Sequence, residues 1–261
     1  MLALVTGAGS GIGAATACAL AARGCSLLLV GRSGAIQQTR QAIADETAAV
    51  DVYCQQADVS LSVDRDAIRR KVEAIALEIG ERLAYVIQAA GVGAPAAGLE
   101  SMETSDLEDA LTINVVGPLA LSRDLLPALA GYPGGARILF IGAGVDEHPQ
   151  PGTGSYGISK MALKRLWHQL KTDLAHAERK GDPAVGLFQP GVVDTPGLRA
   201  HIQAAHDNGL PHADYLAQRL ADGSAHSPPR TVGDAIARLL LQTGAREFQA
   251  QQWRPDDCPS G

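Results

Sequence analysis

Short, almost wholly apolar runs alternate with longer helical patterns from residue 2 onward, and this alternation constrains the fold more than any other feature. The apolar runs fall at 2–5, 26–30, 51–57, 83–89, 136–142 and 184–188. Helical patterns follow at 12–23, at about 31–48, at 62–80, at about 104–130 and at 155–179, where Lys180-Gly181-Asp182-Pro183 stops the last of them. Parallel strands need crossover connections of this length, and strands covered on both faces lose their polar alternation. Leu27-Leu28-Leu29-Val30 and Ile138-Leu139-Phe140-Ile141 read in that way. The expected fold class is therefore α/β, a single doubly wound domain over 1–261 whose parallel sheet has about seven strands. A late helix at 231–243 and a last strand at 247–252 would close it. In such sheets ligands bind beyond the carboxyl ends of the strands, so functional residues should follow strands.

Composition narrows the classes. At 46% hydrophobic and 19% charged, the 261 residues can bury a large core. Aromatics make up 4%, so that core must be built from Ala, Leu, Val and Ile. The formal net charge of −6 and the lack of a Lys/Arg run argue against a nucleic-acid partner. There is neither a signal-peptide pattern nor an apolar stretch of membrane-spanning length, so a cytoplasmic protein without a membrane partner is expected. Cys18, Cys25, Cys54 and Cys258 form no CxxC pair, and three of them fall in expected helix or strand, which argues against a disulfide or zinc framework. His201, His206 and His212 lack the i,i+4 spacing of a helical metal site, so no metal is expected. They lie in the one stretch that breaks the rhythm, 197–229, which ends in the turn-forming Ser227-Pro228-Pro229. It reads as short inserted helices, either a substrate lid or a surface excursion. The tail 255–261 should be loose.

Thr6-Gly7-Ala8-Gly9-Ser10-Gly11-Ile12-Gly13 directly follows the first strand and opens the first helix. A turn of this kind lets backbone N–H groups approach a pyrophosphate, and the helix N-terminus adds donors and a favourable dipole. The spacing of Gly7, Gly11 and Gly13 is TGxxxGIG rather than GxGxxG. Further along stand Asp58-Val59 after the third strand, Asn114 in Asn114-Val115-Val116-Gly117, Tyr156-Gly157-Ile158-Ser159-Lys160, and Pro190-Gly191-Val192-Val193-Asp194-Thr195. In this combination and order the chain resembles the short-chain dehydrogenase/reductase family, which has a Rossmann fold. The arrangement of 197–229 and of the last strand looks most like the sepiapterin and benzil reductase branch. The resemblance implies that Gly7, Ser10, Gly11, Ile12, Gly13, Asp58, Val59, Ala90, Gly91, Tyr156, Lys160, Pro190, Gly191, Val193 and Thr195 contact a nicotinamide dinucleotide. It also implies a homodimer or homotetramer packed through the helices near 104–130 and 155–179.

The residue ending the second strand reads the adenosine ribose. A carboxylate there accepts from the 2′-hydroxyl and repels a 2′-phosphate. This chain has Gly31, then Arg32 and Ser33. Arg32 can meet a phosphate with a charged fork, so NADP(H) is favoured over NAD(H).

Tyr156 and Lys160 stand four apart on one helix face. A free phenol with a pKa of about 10 is a weak acid–base group near neutrality. A neighbouring ammonium should draw that pKa toward the working range. The resemblance implies that Tyr156 protonates a carbonyl oxygen as hydride arrives, that Lys160 holds the nicotinamide ribose, and that Asn114 holds a relay water. Two departures stand against the family pattern. Ala143, thirteen residues before Tyr156, occupies the place of the substrate-binding Ser, and Gln88-Ala89-Ala90-Gly91 replaces the usual NNAG. Ser155, Thr153 and His148 are nearby groups that could stand in for the Ser, and equally could be ordinary caps. The expected activity is reduction of a ketone or diketone by NADPH. The alternative is a protein that binds NADP(H) as a sensor or scaffold with little chemistry. A nucleotide-sugar or flavin protein is a weaker third reading, disfavoured by the glycine spacing together with YxxxK.

Overall fold

A computed structural model describes residues 1–47, 49–93, 95–177, 179, 181–221 and 228–260. The elements run β1 (Leu2–Thr6), α1 (Gly11–Ala21), β2 (Ser26–Gly31), α2 (Ala35–Glu46), β3 (Val52–Gln56), α3 (Ser62–Ile79), β4 (Leu83–Gln88), α4 (Thr104–Leu111), α5 (Gly117–Leu129), β5 (Arg137–Ile141), α6 (Gly154–Ala177), β6 (Ala184–Phe188), α7 (Pro196–Asp207), α8 (His212–Ala221), α9 (Pro229–Gln242), α10 (Ala245–Phe248) and β7 (Gln252–Trp253). The seven strands form one parallel Rossmann sheet in the order β3-β2-β1-β4-β5-β6-β7. Chain order reverses between β1 and β4, which opens a crevice where the turns after those two strands part.

Successive strand residues face opposite layers. Ala3, Val5, Leu27 and Leu29 pack with residues of α1 and α9 in one core, while Leu2, Leu4, Leu28 and Val30 pack with α3, α5 and α6 in the other. α1 and α9 approach so closely that a Cβ on Gly233 would lie 2.5 Å from the Ala15 carbonyl carbon. Pro229 begins α9 two residues ahead of the expected start, because proline fits the first helical turn, where no N–H is needed.

Four expectations are corrected. The helix expected over 104–130 is broken by a π-helical turn, Thr112–Val116, which carries Asn114. The strand expected at 247–252 is instead the short helix α10 followed by the two-residue β7. Phe248 is drawn into the core against Gly186, and Trp253 Nε1 donates to the Phe248 carbonyl at 2.7 Å, which turns the chain before the sheet resumes. The tail expected to be loose carries a 3₁₀ turn, Pro255–Asp257, and Arg238 Nε donates to the Pro259 carbonyl at 2.7 Å. Cys25 sits just before β2 rather than within an element; the four cysteines are free. Ala48, Lys180 and Ser227, which figured in the expected helix end, breaker and turn, lie outside the described residues. Among the described residues no helix is long and apolar enough to cross a membrane, and no group of three or more His, Cys, Asp or Glu could hold a metal.

Residues 196–221 form the helix pair α7–α8. Pro196 opens α7, and the Thr195 hydroxyl caps it by accepting from Leu198 N–H at 3.1 Å. Asn208 Nδ2 donates to the Ala96 carbonyl at 2.9 Å, which fastens the pair to the loop after β4. His201 and His212 meet Nε2 to Nε2 at 3.0 Å, with ring centroids 5.2 Å apart and planes 27° from parallel. Rings placed end to end in this way share one N–H···N bond, so a single proton between them satisfies both. His212 is buried and its Nδ1 has no hydrogen-bond partner among the described residues. Burial lowers the pKa of both rings, and the facing His212 lowers His201 further. A depressed folded-state pKa gives stability that is complete above the ordinary value of 6.5 and is lost as pH falls below it. The chain should therefore melt at a lower temperature at pH 5 than at pH 7, and the drop should shrink in His212→Gln. Thermal melts of both proteins across this range check it.

Candidate active site

The crevice is built first from glycine. Gly7 (φ 66°) and Gly11 (φ 55°) hold left-handed conformations in which a side chain is strained. A Cβ on Gly7 would stand 2.8 Å from the Ala89 carbonyl oxygen, and one on Gly13 would stand 2.3 Å from the Gly7 oxygen. The turn is thus pressed against both its own helix and the loop after β4. Ser10 stands exposed at the α1 N-cap and makes no side-chain cap bond. Its helix end presents Gly11, Ile12 and Gly13 in the first turn, an arrangement suited to a phosphate. Thr6 binds the crevice together, because its hydroxyl accepts from Ala90 N–H at 3.1 Å.

At the adenosine end, Gly31 leaves no room for a carboxylate, since a Cβ there would lie 2.8 Å from Ile36 Cγ2. Arg32 and Ser33 follow on the exposed rim. Among the described residues the Arg32 guanidinium makes no ion pair within 4.0 Å. It borders an open depression of about 400 Å³ together with Gln56, Ala57, Asp58 and Asp64. The Asp58 carboxylate accepts from the Ser60 N–H and hydroxyl at 2.9 and 2.6 Å. Burial pushes the Asp58 carboxyl up, but the Ser60 bonds and the charge of Arg32 hold it below the usual range. Val59 is buried, and its carbonyl is where a Cβ on Gly117 would collide, at 2.9 Å.

At the other end α6 presents Tyr156 and Lys160. Tyr156 is half-buried; its ring packs over Gly93, where a Cβ would sit 3.7 Å away. Lys160 is buried, with Nζ 5.5 Å from the Tyr156 ring centroid and 2.9 Å from the Ile141 carbonyl to which it donates. Gly91 is wedged between Asn114 and Lys160. The Asn114 amide is clamped in both directions to Val92 at 2.9 Å and donates to Ser159 Oγ at 2.9 Å, while Ser159 donates to the Tyr156 carbonyl at 2.8 Å. Asn114 therefore ties the β4 loop to α6 directly, leaving one acceptor site on its oxygen for water. Pro190, Gly191 (φ 73°), Val193 and Thr195 follow β6 on the same side of the sheet, with Thr195 methyl 3.0 Å from the place of a Gly11 Cβ.

The expectation that Lys160 draws the Tyr156 phenol toward neutrality is not met. Burial, with help from the Asp146 carboxylate, pushes Tyr156 up to about 12. Burial brings Lys160 down to about 8, against the pull of Asp146. Lys160 is turned to Ile141 and does not offset the desolvation of the phenol.

The departures have structural readings. Gln88 is buried, with Nε2 3.4 Å from both Ser122 Oγ and the Pro118 carbonyl, so its side chain serves the β4–α5 contact rather than the crevice. Ala143 is half-buried with an extended backbone at the start of a 3₁₀ turn, Gly144–Asp146. Of the possible substitutes, Thr153 is engaged with Gln150, whereas the buried Ser155 hydroxyl has no partner among the described residues. Thr6, Ser159, Asp146 and Gln189 had no part in the expected site. Ser159 lies within the Tyr156–Lys160 stretch and so carried a signal; Asp146 and Gln189 meet only through the fold.

The profile of the short chain dehydrogenase family matches residues 1–205. The chain is 32% identical over 192 residues to sulfoacetaldehyde reductase of Chromohalobacter salexigens, covering 73% of this chain and 72% of that one. It is 25% identical over 156 residues to benzil reductase ((S)-benzoin forming) of Bacillus cereus, covering 60% and 61%. A short chain dehydrogenase from Burkholderia cenocepacia, solved in complex with NADP, superposes with a TM-score of 0.74 at 26% identity and covers 97% of this chain and 93% of its own.

Proposed function

The chain belongs to the short-chain dehydrogenase/reductase family of oxidoreductases, and from that membership we propose that it is an NADPH-dependent reductase of ketones or diketones. The observation that carries this reading is the seating of Tyr156, Lys160 and Asn114 around Gly91–Gly93, at the carboxyl end of the strands and beside the glycine turn. The glycine cradle and the free rim at Arg32 fit a dinucleotide. Gly7, Ser10, Gly11, Ile12 and Gly13 would hold the pyrophosphate, Arg32 and Ser33 the 2′-phosphate, Asp58 and Val59 the adenine, and Ala90, Gly91, Pro190, Gly191, Val193 and Thr195 the nicotinamide half.

When bound, the reduced cofactor supplies the hydride that adds to the carbonyl carbon. Tyr156 donates the phenolic proton to the carbonyl oxygen, completing the alcohol. A phenol held near 12 is protonated at neutral pH, the form this step needs. Lys160 orients the ribose, and a water on the free acceptor site of Asn114 returns a proton to Tyr156. The pair α7–α8 covers the substrate end as a lid. The two reductase relatives act, by their names, on carbonyl compounds, and the benzil reductase supports the diketone class. Ala143 favours a second reading, a protein that binds NADP(H) with little turnover. The half-exposed Val116, Leu119, Ile158 and Met161 support a homodimer or homotetramer packed through α5, the π turn before it, and α6.

Cofactor choice is tested by titrating NADPH and NADH by fluorescence. NADPH should bind more tightly, and Arg32→Ala should weaken it by about tenfold or more, the value of one charge-assisted hydrogen bond, with NADH unaffected. Equal loss for both cofactors would remove Arg32 from 2′-phosphate recognition.

A further inference from the structure

Two opposite charges, Lys160 and Asp146, are buried in this site, and the ammonium is the one without an ion pair among the described residues. Lys160 donates to the Ile141 carbonyl, and among the described residues no carboxylate lies within 4.0 Å of it. Asp146 has a side chain 1% exposed. Its Oδ1 accepts from Gln189 Nε2 at 3.2 Å, and its Oδ2 has no hydrogen-bond partner among the described residues. Lys164 Nζ comes to 3.8 Å from Oδ2, too far for a hydrogen bond, and makes its shorter contact with Glu147. A buried charge without a counter-charge is strongly disfavoured, so the Lys160 ammonium needs an acidic neighbour, and Asp146 can serve Lys160 as well as Lys164.

The fold brings them together for a local reason. Tyr156, Lys160 and Lys164 are spaced i, i+4, i+8 and form one stripe on α6. The 3₁₀ turn after β5 is pressed onto the start of that helix, since a Cβ on Gly157 would stand 3.2 Å from the Val145 carbonyl. Asp146 ends this turn and is held from behind by Gln189, which Gln252 Nε2 in turn fixes at 2.7 Å.

We propose that Asp146 is a positioning residue of this site, the buried counter-charge that keeps Lys160 cationic and the proton on Tyr156. The proposal rests on Tyr156 and Lys160 being the reacting pair. Asp146 is the charged group that acts on both: it supports the ammonium of Lys160 and opposes a phenolate at Tyr156. The other titratable groups facing Asp146 are Lys164, Glu147 and His148. Burial raises the Asp146 carboxyl; Lys164 opposes it, the Glu147 charge adds to it, and the Glu147 N–H and His148 oppose it further.

The test reads Lys160 itself. The full chain has five lysines, so ¹³C-lysine labelling gives a tractable spectrum, with Lys160 identified by its absence in Lys160→Arg. The Lys160 titration midpoint, about 8 in the parent chain, should move to lower pH in Asp146→Asn and stay in place in Asp146→Glu. In turnover, the alkaline fall of kcat should move down with it. An unmoved midpoint in a folded Asp146→Asn protein would overturn the proposal and leave Asp146 as a brace between Gln189 and the turn. Where the amide variant fails to fold, Asp146→Ser is read in the same way. The lysine titration needs no turnover, so its outcome stands apart from the success or failure of the reductase assay.

Discussion

Tyr156→Phe should reduce carbonyl turnover by about 10²–10⁴-fold, the usual worth of a placed general acid, while NADPH binding persists. The separation follows from where the hydroxyl lies. The ring itself packs over Gly93, and phenylalanine keeps that contact. The Ser159 bond that ties this turn of α6 to Asn114 goes to the Tyr156 backbone, so it too survives the change. The glycine turn and Arg32 lie at the other end of the crevice and are untouched. Single-turnover rates and a parallel cofactor titration measure the two effects independently. A variant that loses NADPH binding along with turnover would place Tyr156 in the cofactor site rather than at the reacting oxygen.

Ala143→Ser should raise turnover, by up to about 10²–10³-fold if the added hydroxyl reaches the substrate oxygen as one more donor to the developing charge. Ala143 lies just past the end of β5 in an extended conformation, half-buried, and a hydroxyl is a small addition there. The gain should appear in kcat more than in KM, because a donor aimed at developing charge acts in the transition state. No gain, with cofactor binding and stability intact, would mean that another group already fills the role. The unpartnered hydroxyl of Ser155 is then the first to replace, with Ser155→Ala predicted to lower kcat.

Much of this architecture could be read from residue order. Apolar runs such as Leu27-Leu28-Leu29-Val30 carry no alternation, and only strands buried on both faces permit that. The glycine turn was equally legible, because a left-handed φ and a backbone approach below 3 Å leave glycine as the residue that fits. The π turn at Asn114 was not legible. Thr112-Ile113-Asn114-Val115-Val116 are weak helix formers inside a longer helical pattern, which does not mark a π turn, and the extra residue per turn goes with the bonds from Asn114 to Val92 and Ser159 across the crevice. The chain end was misread for a related reason. Residues 247–252 read as a closing strand by their place after the last helix, but their Glu, Ala and Gln favour a helix and Phe248 is buried against Gly186, so a helical turn comes first. The expected influence of Lys160 on Tyr156 depended on spacing alone, and spacing does not report burial. Asp146 gave no signal, since its partners Gln189 and Lys164 are 43 and 18 positions away and meet it only in the folded chain.

The central claim is hydride transfer to a carbonyl carbon at the Tyr156 end of the crevice. It is tested most directly by incubating the chain with NADPH deuterated at the nicotinamide C4 and a panel of ketones and diketones, then analysing the alcohols by mass spectrometry. The account predicts one deuterium at the carbinol carbon of at least one product, with this product lost in Tyr156→Phe. Tight NADPH binding with no deuterated alcohol from any member of the panel, in both the parent chain and Ala143→Ser, would contradict it and favour a cofactor-binding protein.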